Sequence, residues 1–507
     1  MSMIWNGSPL GFDKHGRAIA YDGNAPTLIF GPQGSNKTVG YVCNALLDDD
    51  TGKRSYLVLD PKGEVYAITS KFRRSLRGHK VRVIAPFQPE ISDGWNPLGR
   101  LVPDTPGYAD SCASMAIALI PKNSNESQPI FPNSARSAFT GGINWEVRDA
   151  RGTGQTPSIA NVRAVLTRET AALQEFIEKM VALDDAEIAP RMRKFLDDNR
   201  EIQSIKSNIE TDTAWMTQEM IDDMATAEGV DFEEFATHPA TVYVIIPTKE
   251  LKAKAAYLRL VLSAALRALY RDDGVPATVI IEEAFVLGYH EEIEQAASIL
   301  RGYGSRFSIV FQSLQQAREL YPKTWGLFTG GAVLGFRPSD VETAEWMVKR
   351  SGKAIVPVYS ASDPKPGEAV GQGGWQQKER DRIGLGDMFR MPQGRALVWL
   401  PHEDAPRTSW VKGYFEMRKL ARRASPNPYY KGSRRRRAGR AMGIAVLAVA
   451  ALFGGLALLP RPVLETLRFD LIMAIGNPDQ VQAALRDRAG GAGASQHAIA
   501  LAPPARR

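Results

Sequence analysis

"LIFGPQGSNKTVGYV", Leu28 to Val42, passes from an apolar segment through a glycine-bearing turn into the opening of a helix. A strand that ends this way suits a phosphate-binding loop, because backbone N–H groups and a helix N-terminus then converge on one anion. Gly31-Pro32-Gln33-Gly34-Ser35-Asn36-Lys37-Thr38 follows the pattern G-x-x-x-x-G-K-[ST] except at one position. Lys37 is placed to meet the β- and γ-phosphates of a nucleotide, and the Thr38 hydroxyl to bind Mg²⁺. Asn36 stands where the pattern has glycine. Glycine there lets the backbone approach the phosphates with no Cβ in the way. Asn is short, polar and able to donate a hydrogen bond, so the change predicts weaker binding rather than none.

The other half of such a site is an acidic pair at a strand end. "TVIIEEAFVLG" supplies Glu282 and Glu283. The first acid would hold Mg²⁺ through water, and the second would orient or deprotonate an attacking water. Aspartate is usual in the first position; Glu282 sets its carboxylate one methylene farther out. "SIVFQSLQQ" ends the next strand in Gln312, a side chain suited to sensing the γ-phosphate. "LVLDPKGEVY" puts Asp60, Lys62 and Glu64 just past another strand end, although Asp-Pro-Lys-Gly is also a good β-turn. "LRGYGSRF" offers Arg301 and Arg306, each readable as an arginine finger on a neighbouring subunit's γ-phosphate or as a surface charge.

Around these motifs apolar runs recur: Thr27–Phe30, Ser55–Asp60, Val81–Phe87, Thr241–Pro247, Thr278–Glu283, Ser308–Gln312, Ala332–Phe336 and Ala396–Leu400. Continuous runs of this length fit strands buried on both faces of a parallel sheet. Helical periodicity lies between several of them. Ile293, Ala296, Ala297 and Leu300 fall on one face, and "SDVETAEWMVKRSG" opens on a capping box, Ser339 with Glu342, and closes at Gly352. The alternation indicates an α/β doubly wound domain. Residues 104–235 break it with helical segments only, such as "VRAVLTRETAALQEFIEKMVAL". They are expected to form an all-α domain inserted between the third and fourth of these strands.

Composition excludes some classes. Apolar residues make up 44% and charged residues 23%, ordinary for a globular chain. Cys43 and Cys112 have no metal-ligand spacing, and the six histidines are scattered, so neither a zinc nor an iron site is supported. The net charge of +7 is concentrated at one end: residues 431–507 hold 12 Lys and Arg against 4 Asp and Glu, leaving 51 against 52 before them. Bulk charge therefore gives the main body no nucleic-acid footprint. "GSRRRRAGR" precedes nineteen uncharged residues, Ala441–Leu459, which as a helix would cover about 28 Å. A basic flank of this kind marks a membrane span with its own side in the cytoplasm; the other reading is a buried core helix. The expectation is cytoplasmic residues 1–440 at an inner membrane, one pass over 441–460, and a tail, 461–507, across it. The start "MSMIWNGSPL" carries no cleavable signal pattern.

Taken together, "GPQGSNKTVG", "LVLDPKGE", "GWNPLGRL", "FPNSARSAFTGGI", "IIEEAFVLG", "ILRGYGSRFSIVFQSLQQ", "VETAEWMVKRSGK" and "PNPYY" resemble the coupling proteins of type IV secretion and conjugation, membrane-anchored ATPases of the FtsK/HerA-like, RecA-fold group. The resemblance runs from about Gly11 to Tyr430. It implies a nucleotide-binding domain in two parts, 1–103 and 236–430, around the all-α segment 104–235. It also implies ATP and Mg²⁺ as cofactors and a ring, usually hexameric. Such a ring recruits substrates to secretion-channel components and drives transfer of DNA, single-stranded or joined to protein. By the family's motifs Lys37 and Thr38 contact nucleotide and Mg²⁺, Glu283 is the catalytic acid and Gln312 the sensor. Asn36 and Glu282 depart from the two motifs that hydrolysis needs. Family members usually have transmembrane helices before the ATPase domain, whereas these motifs begin near Met1, which implies a different docking geometry. Three functions follow: a DNA-transfer motor, a hydrolysis-deficient ATP-binding receptor at the membrane, and a DNA pump unrelated to secretion.

Overall fold

Every residue of Thr27–Phe30, Ser55–Leu59, Ala240–Val244 and Ala277–Ile281 is buried, the pattern of strands covered on both sides. The computed structural model describes residues 3–120, 130–196, 199–361 and 373–429. The basic segment 431–440, the span 441–460 and the tail 461–507 lie outside them. In chain order the strands are β1 (Ser8–Phe12), β2 (Ala18–Tyr21), β3 (Thr27–Phe30), β4 (Ser55–Leu59), β5 (Lys80–Ile84), β6 (Ala240–Val244) and β7 (Ala277–Ile281), then β8 (Arg306–Phe311), β9 (Val333–Phe336), β10 (Lys353–Ala361), β11 (Gly373–Asp381), β12 (Arg395–Trp399) and β13 (Arg407–Trp410). Eleven form one sheet in the order β2-β1-β13-β12-β9-β3-β8-β7-β4-β6-β5. The seven from β9 to β5 run parallel.

Side chains alternate across this sheet with the strand period of two. Leu28, Phe30, Leu57 and Leu59 enter one hydrophobic core, and Ile29, Tyr56 and Val58 enter the other. The first core is shared with the helical segment. Between β5 and β6 the described residues form helices without strands, among them Tyr108–Leu119, Ile130–Thr153, Ile159–Leu166, Thr170–Ala182 and Asn199–Asp212. Cys112, Leu119, Phe139 and Ile143 from these helices pack in the same core as Leu28 and Leu57. Met1–Pro428 forms one compact unit.

Several expectations need correction. The apolar run Ala396–Leu400 is not a parallel strand: β12 runs antiparallel to both β9 and β13; an apolar run records burial, not direction. The helical segment does lie between the runs at Val81–Phe87 and Thr241–Pro247, which are β5 and β6 once the short strands β1 and β2 are counted. The capping box at Ser339 and Glu342 does not form. Asp340 is the cap, its carboxylate accepting the Thr343 N–H at 2.8 Å, and Glu342 instead pairs with Arg318. The helix does end at Gly352, whose φ is 70°. "VRAVLTRETAAL" breaks at Thr167 into two helices. Both cysteines are free and buried. Among the described residues no helix is long and apolar enough to cross a membrane.

Candidate functional site

The loop after β3 is fixed first by backbone. A Cβ on Gly31 would lie 2.6 Å from the Phe336 Cβ of β9, so only glycine lets the chain pass there. Gly34 and Asn36 both hold left-handed backbone, with φ of 77° and 70°. This explains the Asn36 position better than crowding by a Cβ does: the site needs positive φ, and Asn is among the few side chains that accept it. Gly40 N–H then donates to the Asn36 carbonyl at 2.8 Å, and the Cys43 N–H reaches back to Thr38, so the helix opens on a widened turn. The Lys37 ammonium lies on the loop's own oxygens: the Gly31 carbonyl, the Pro32 carbonyl at 2.9 Å and the Ser35 hydroxyl at 3.4 Å. Burial draws its pKa below that of a free lysine, while the nearby Glu283 and Glu282 carboxylates oppose the shift.

The acid edge lies two strands away, across β8, at the end of β7. Glu282 is buried, and the Thr38 hydroxyl hydrogen-bonds it, so the two halves of the motif meet. Burial, reinforced by the charge of Asp60, pushes the Glu282 pKa up to about 8 despite the Thr38 bond. Glu283 turns the chain at φ 55°, a left-handed conformation that costs a non-glycine residue roughly 1–3 kcal/mol. The turn sends the second carboxylate elsewhere: Glu283 Oε2 accepts the Gln312 Nε2–H at 2.9 Å, while the Gln312 backbone N–H is held by Gln316 Oε1 at 2.9 Å. Gln312 follows β8, which separates β3 from β7, so it stands between loop and acids.

Leu59 of β4 is in register with Ile281 of β7, which sets Asp60 beside Glu282. Asp60 is fully buried; Oδ2 accepts the Tyr66 N–H at 2.8 Å, and Oδ1 has no hydrogen-bond partner among the described residues. Burial pushes its pKa up to about 7, against the pull of backbone N–H groups. Glu64 is also buried, and its Oε1 accepts the Asn427 Nδ2–H at 2.6 Å. The "PNP" at 426–428 thus closes on the acid edge, a pairing with no signal in local sequence.

Arg301 and Arg306 lie elsewhere. Register pairs Thr27 with Ser308 and Phe30 with Phe311, so Arg306 stands at the sheet edge opposite the loop, donating to the Asp22 carbonyl at 2.8 Å. Arg301 is exposed on the turn before β8. Neither reaches the loop of its own chain. Sequence reading also missed a cleft of about 300 Å³ on the other side of the loop. Pro32–Ser35, Phe336, Arg337 and Pro392–Arg395 line it, and Gln393 Nε2 donates to the Gly34 carbonyl at 3.3 Å.

An amine on an anion loop, a hydroxyl on a buried carboxylate and an orphaned carboxylate oxygen fit a phosphate chain carrying a divalent cation. Among the described residues no three His, Cys, Asp or Glu side chains are set to hold a metal alone. Mg²⁺ itself binds through few carboxylates together with phosphates and retained waters.

Comparisons with known proteins bear on the family and the fold. The chain is 24% identical over 348 residues to the conjugal transfer protein TraG of Rhizobium radiobacter, covering 66% of this chain and 53% of that protein. It is 21% identical over 399 residues to the type IV secretion system-coupling protein VirD4 of Bartonella quintana, covering 75% and 59%. It therefore spans about half the length of these curated relatives. Among solved structures, the unbound conjugative coupling protein TrwBdeltaN70 superposes with a TM-score of 0.60 at 13% identity, over 80% of this chain and 88% of that one. TrwB in complex with ADP and Mg²⁺ does so with 0.58 at 13% identity, over the same shares. The fold is thus that of the TrwB coupling protein, a large, mostly parallel sheet with helices. The family model for type IV secretory system conjugative DNA transfer matches residues 4–431, and the chain belongs to that family.

Proposed function

We propose that this chain is a coupling ATPase of a type IV secretion or conjugation system, binding Mg²⁺·ATP and using its hydrolysis to drive transfer of DNA or a DNA–protein conjugate. One observation carries the reading: from three neighbouring strand ends, Thr38 bonds Glu282, Gln312 bonds Glu283, and both carboxylates lie near enough to act on the Lys37 ammonium. Relatives named conjugal transfer protein and type IV coupling protein, and the TrwB complex with ADP and Mg²⁺, support it.

The residues divide the work. Loop N–H groups of Gly31–Asn36 and the helix N-terminus take the phosphates. Lys37 leaves the Gly31 and Pro32 carbonyls for the β/γ-phosphates. Thr38 directly, and Glu282 through water, would hold the magnesium, which supplies charge neutralisation on the phosphates. Glu283 orients and deprotonates the attacking water, and its bond to Gln312 sets where that water sits and tells β8 whether the γ-phosphate is present. The cleft along Phe336, Arg337 and Gln393 takes the remainder of the nucleotide. Arg301 serves only across a subunit boundary, in a ring of copies, usually six. In this reading 104–235 is the all-α domain between the two parts of the nucleotide domain. Residues 441–460 anchor the chain in the inner membrane, with 1–440 cytoplasmic beside the channel components.

A second reading, an ATP-binding receptor without turnover, draws on the protonation that burial and Asp60 favour at Glu282. Steady-state ATPase measurement with and without single-stranded DNA separates the two. Turnover stimulated by DNA, lost in Glu283→Gln while nucleotide stays bound, supports the motor. Binding without turnover in the wild type supports the receptor. No saturable nucleotide binding defeats both.

A further inference from the structure

The turn after β4 holds a carboxylate that the roles above leave unused. Asp60 is separated from Glu282 only by the spacing of two neighbouring parallel strands, about 4.8 Å. Its two oxygens have different surroundings. Oδ2 is held by the Tyr66 N–H, and the turn is closed by the Gly63 N–H on the Asp60 carbonyl at 3.1 Å. Oδ1 is buried and unpartnered among the described residues. Leaving a buried carboxyl oxygen so is costly unless something else engages it. Neither neighbouring acid is bonded to Oδ1: Glu282 takes the Thr38 hydroxyl and Glu64 takes the Asn427 amide. A turn-capping role accounts for Oδ2 and leaves Oδ1 unexplained. A hydrated divalent cation accounts for Oδ1, since its bound waters donate hydrogen bonds to carboxylates set around it.

We propose that Asp60 is a second carboxylate of the magnesium edge, its Oδ1 accepting from the water shell of the cation beside Glu282. This rests on the nucleotide reading of the site and adds a residue to it. The addition bears on the departure at 282. A longer Glu in place of Asp displaces one carboxylate, and Asp60, rigidly placed by its own turn, supplies another from the adjoining strand.

The test is equilibrium binding of a fluorescent ATP analogue to the full chain, titrated with Mg²⁺ and repeated with chelator. Asp60→Asn keeps an acceptor for the Tyr66 N–H and removes the charge. Its Mg²⁺ half-saturation should rise about tenfold, with Mg²⁺-free affinity within about twofold of wild type, the size of effect seen when outer-shell metal partners are removed. Asp60→Ser, whose hydroxyl can still cap the turn, should do the same and decides the matter if the Asn variant does not fold. Wild-type half-saturation in both Asp60 variants, or equal loss with and without Mg²⁺, would overturn the proposal alone. Absence of saturable binding in the wild type would overturn the nucleotide reading and this inference with it.

Discussion

At Asn36 the chain departs from its motif where the backbone is the critical element; at Glu282 it departs where the side chain is. The loop needs a left-handed residue, and Asn adopts φ 70° at modest cost, so the ring of N–H groups is kept. The acid edge needs a carboxylate at a set distance. There the longer side chain sits buried beside Asp60 and is held by Thr38. The same kind of change is thus absorbed by conformation in one half of the site and by a neighbouring strand in the other. The loop should behave nearly as its pattern prescribes, and the acid edge should carry most of whatever is unusual.

The sharpest way to break this contrast is to remove the charge on which the loop depends. Lys37→Ala takes away the ammonium that the Gly31 and Pro32 carbonyls hold in place. Equilibrium binding of ATP should weaken by about 100-fold, the loss of one or two charge-assisted bonds to phosphate. Binding that persists at wild-type strength would mean that the phosphates lie elsewhere. Next in size is Glu283→Gln. Single-turnover hydrolysis should fall by roughly 100-fold or more, as for loss of a general base, with binding preserved. Unchanged hydrolysis would move the base away from Glu283 and leave its left-handed turn without a chemical reason.

The acid edge can also be probed without nucleotide, through pH. Glu282 and Asp60, with pKa values pushed to about 8 and about 7, bind protons in the folded chain that the unfolded chain has already released. Stability therefore declines as pH rises from the ordinary carboxylate range through these values. Burial sets most of the effect, with the charges of the two acids, Glu64 and Glu283 added to it, opposed by Thr38 and the backbone N–H groups of the 60–66 turn. Thermal unfolding of the nucleotide-free chain should give a Tm about 5 °C lower at pH 8.5 than at pH 6. Glu282→Gln should flatten that slope. A Tm that rises over this interval would show the acids to be solvated rather than crowded.

Legibility in the sequence followed the same division. Runs such as "TLIF" and "TVIIEE" locate buried parallel strands because both of their faces must be apolar. Spacing places Lys37 and Thr38 on the loop because backbone geometry there is local. Direction and edges were not legible: β12 carries the burial signature of its parallel neighbours while running against them, β1 and β13 lack an apolar run, and β2 is only four residues long. Nor does local pattern reveal that Asp60 stands level with Glu282, or that Asn427 reaches Glu64. Those depend on register between strands and on the return of the chain from far downstream. A motif gives the residues that one turn positions; the partners that neighbouring strands bring to them come from tertiary packing.

The smallest expected effect is the one that tests the contrast most directly. Asn36→Gly restores the pattern residue at a position whose φ already suits it. The gain is limited to relief of a left-handed side chain, about 1 kcal/mol, and is partly offset by the greater freedom of glycine in the unfolded chain. ATP affinity should improve by less than about threefold. Glu282→Asp, by contrast, shortens a buried side chain beside Asp60 and should change the Mg²⁺ dependence of binding more than the affinity for nucleotide alone. If Asn36→Gly gives the larger gain, the loop rather than the acid edge limits the site, and the asymmetry between the two halves runs the other way.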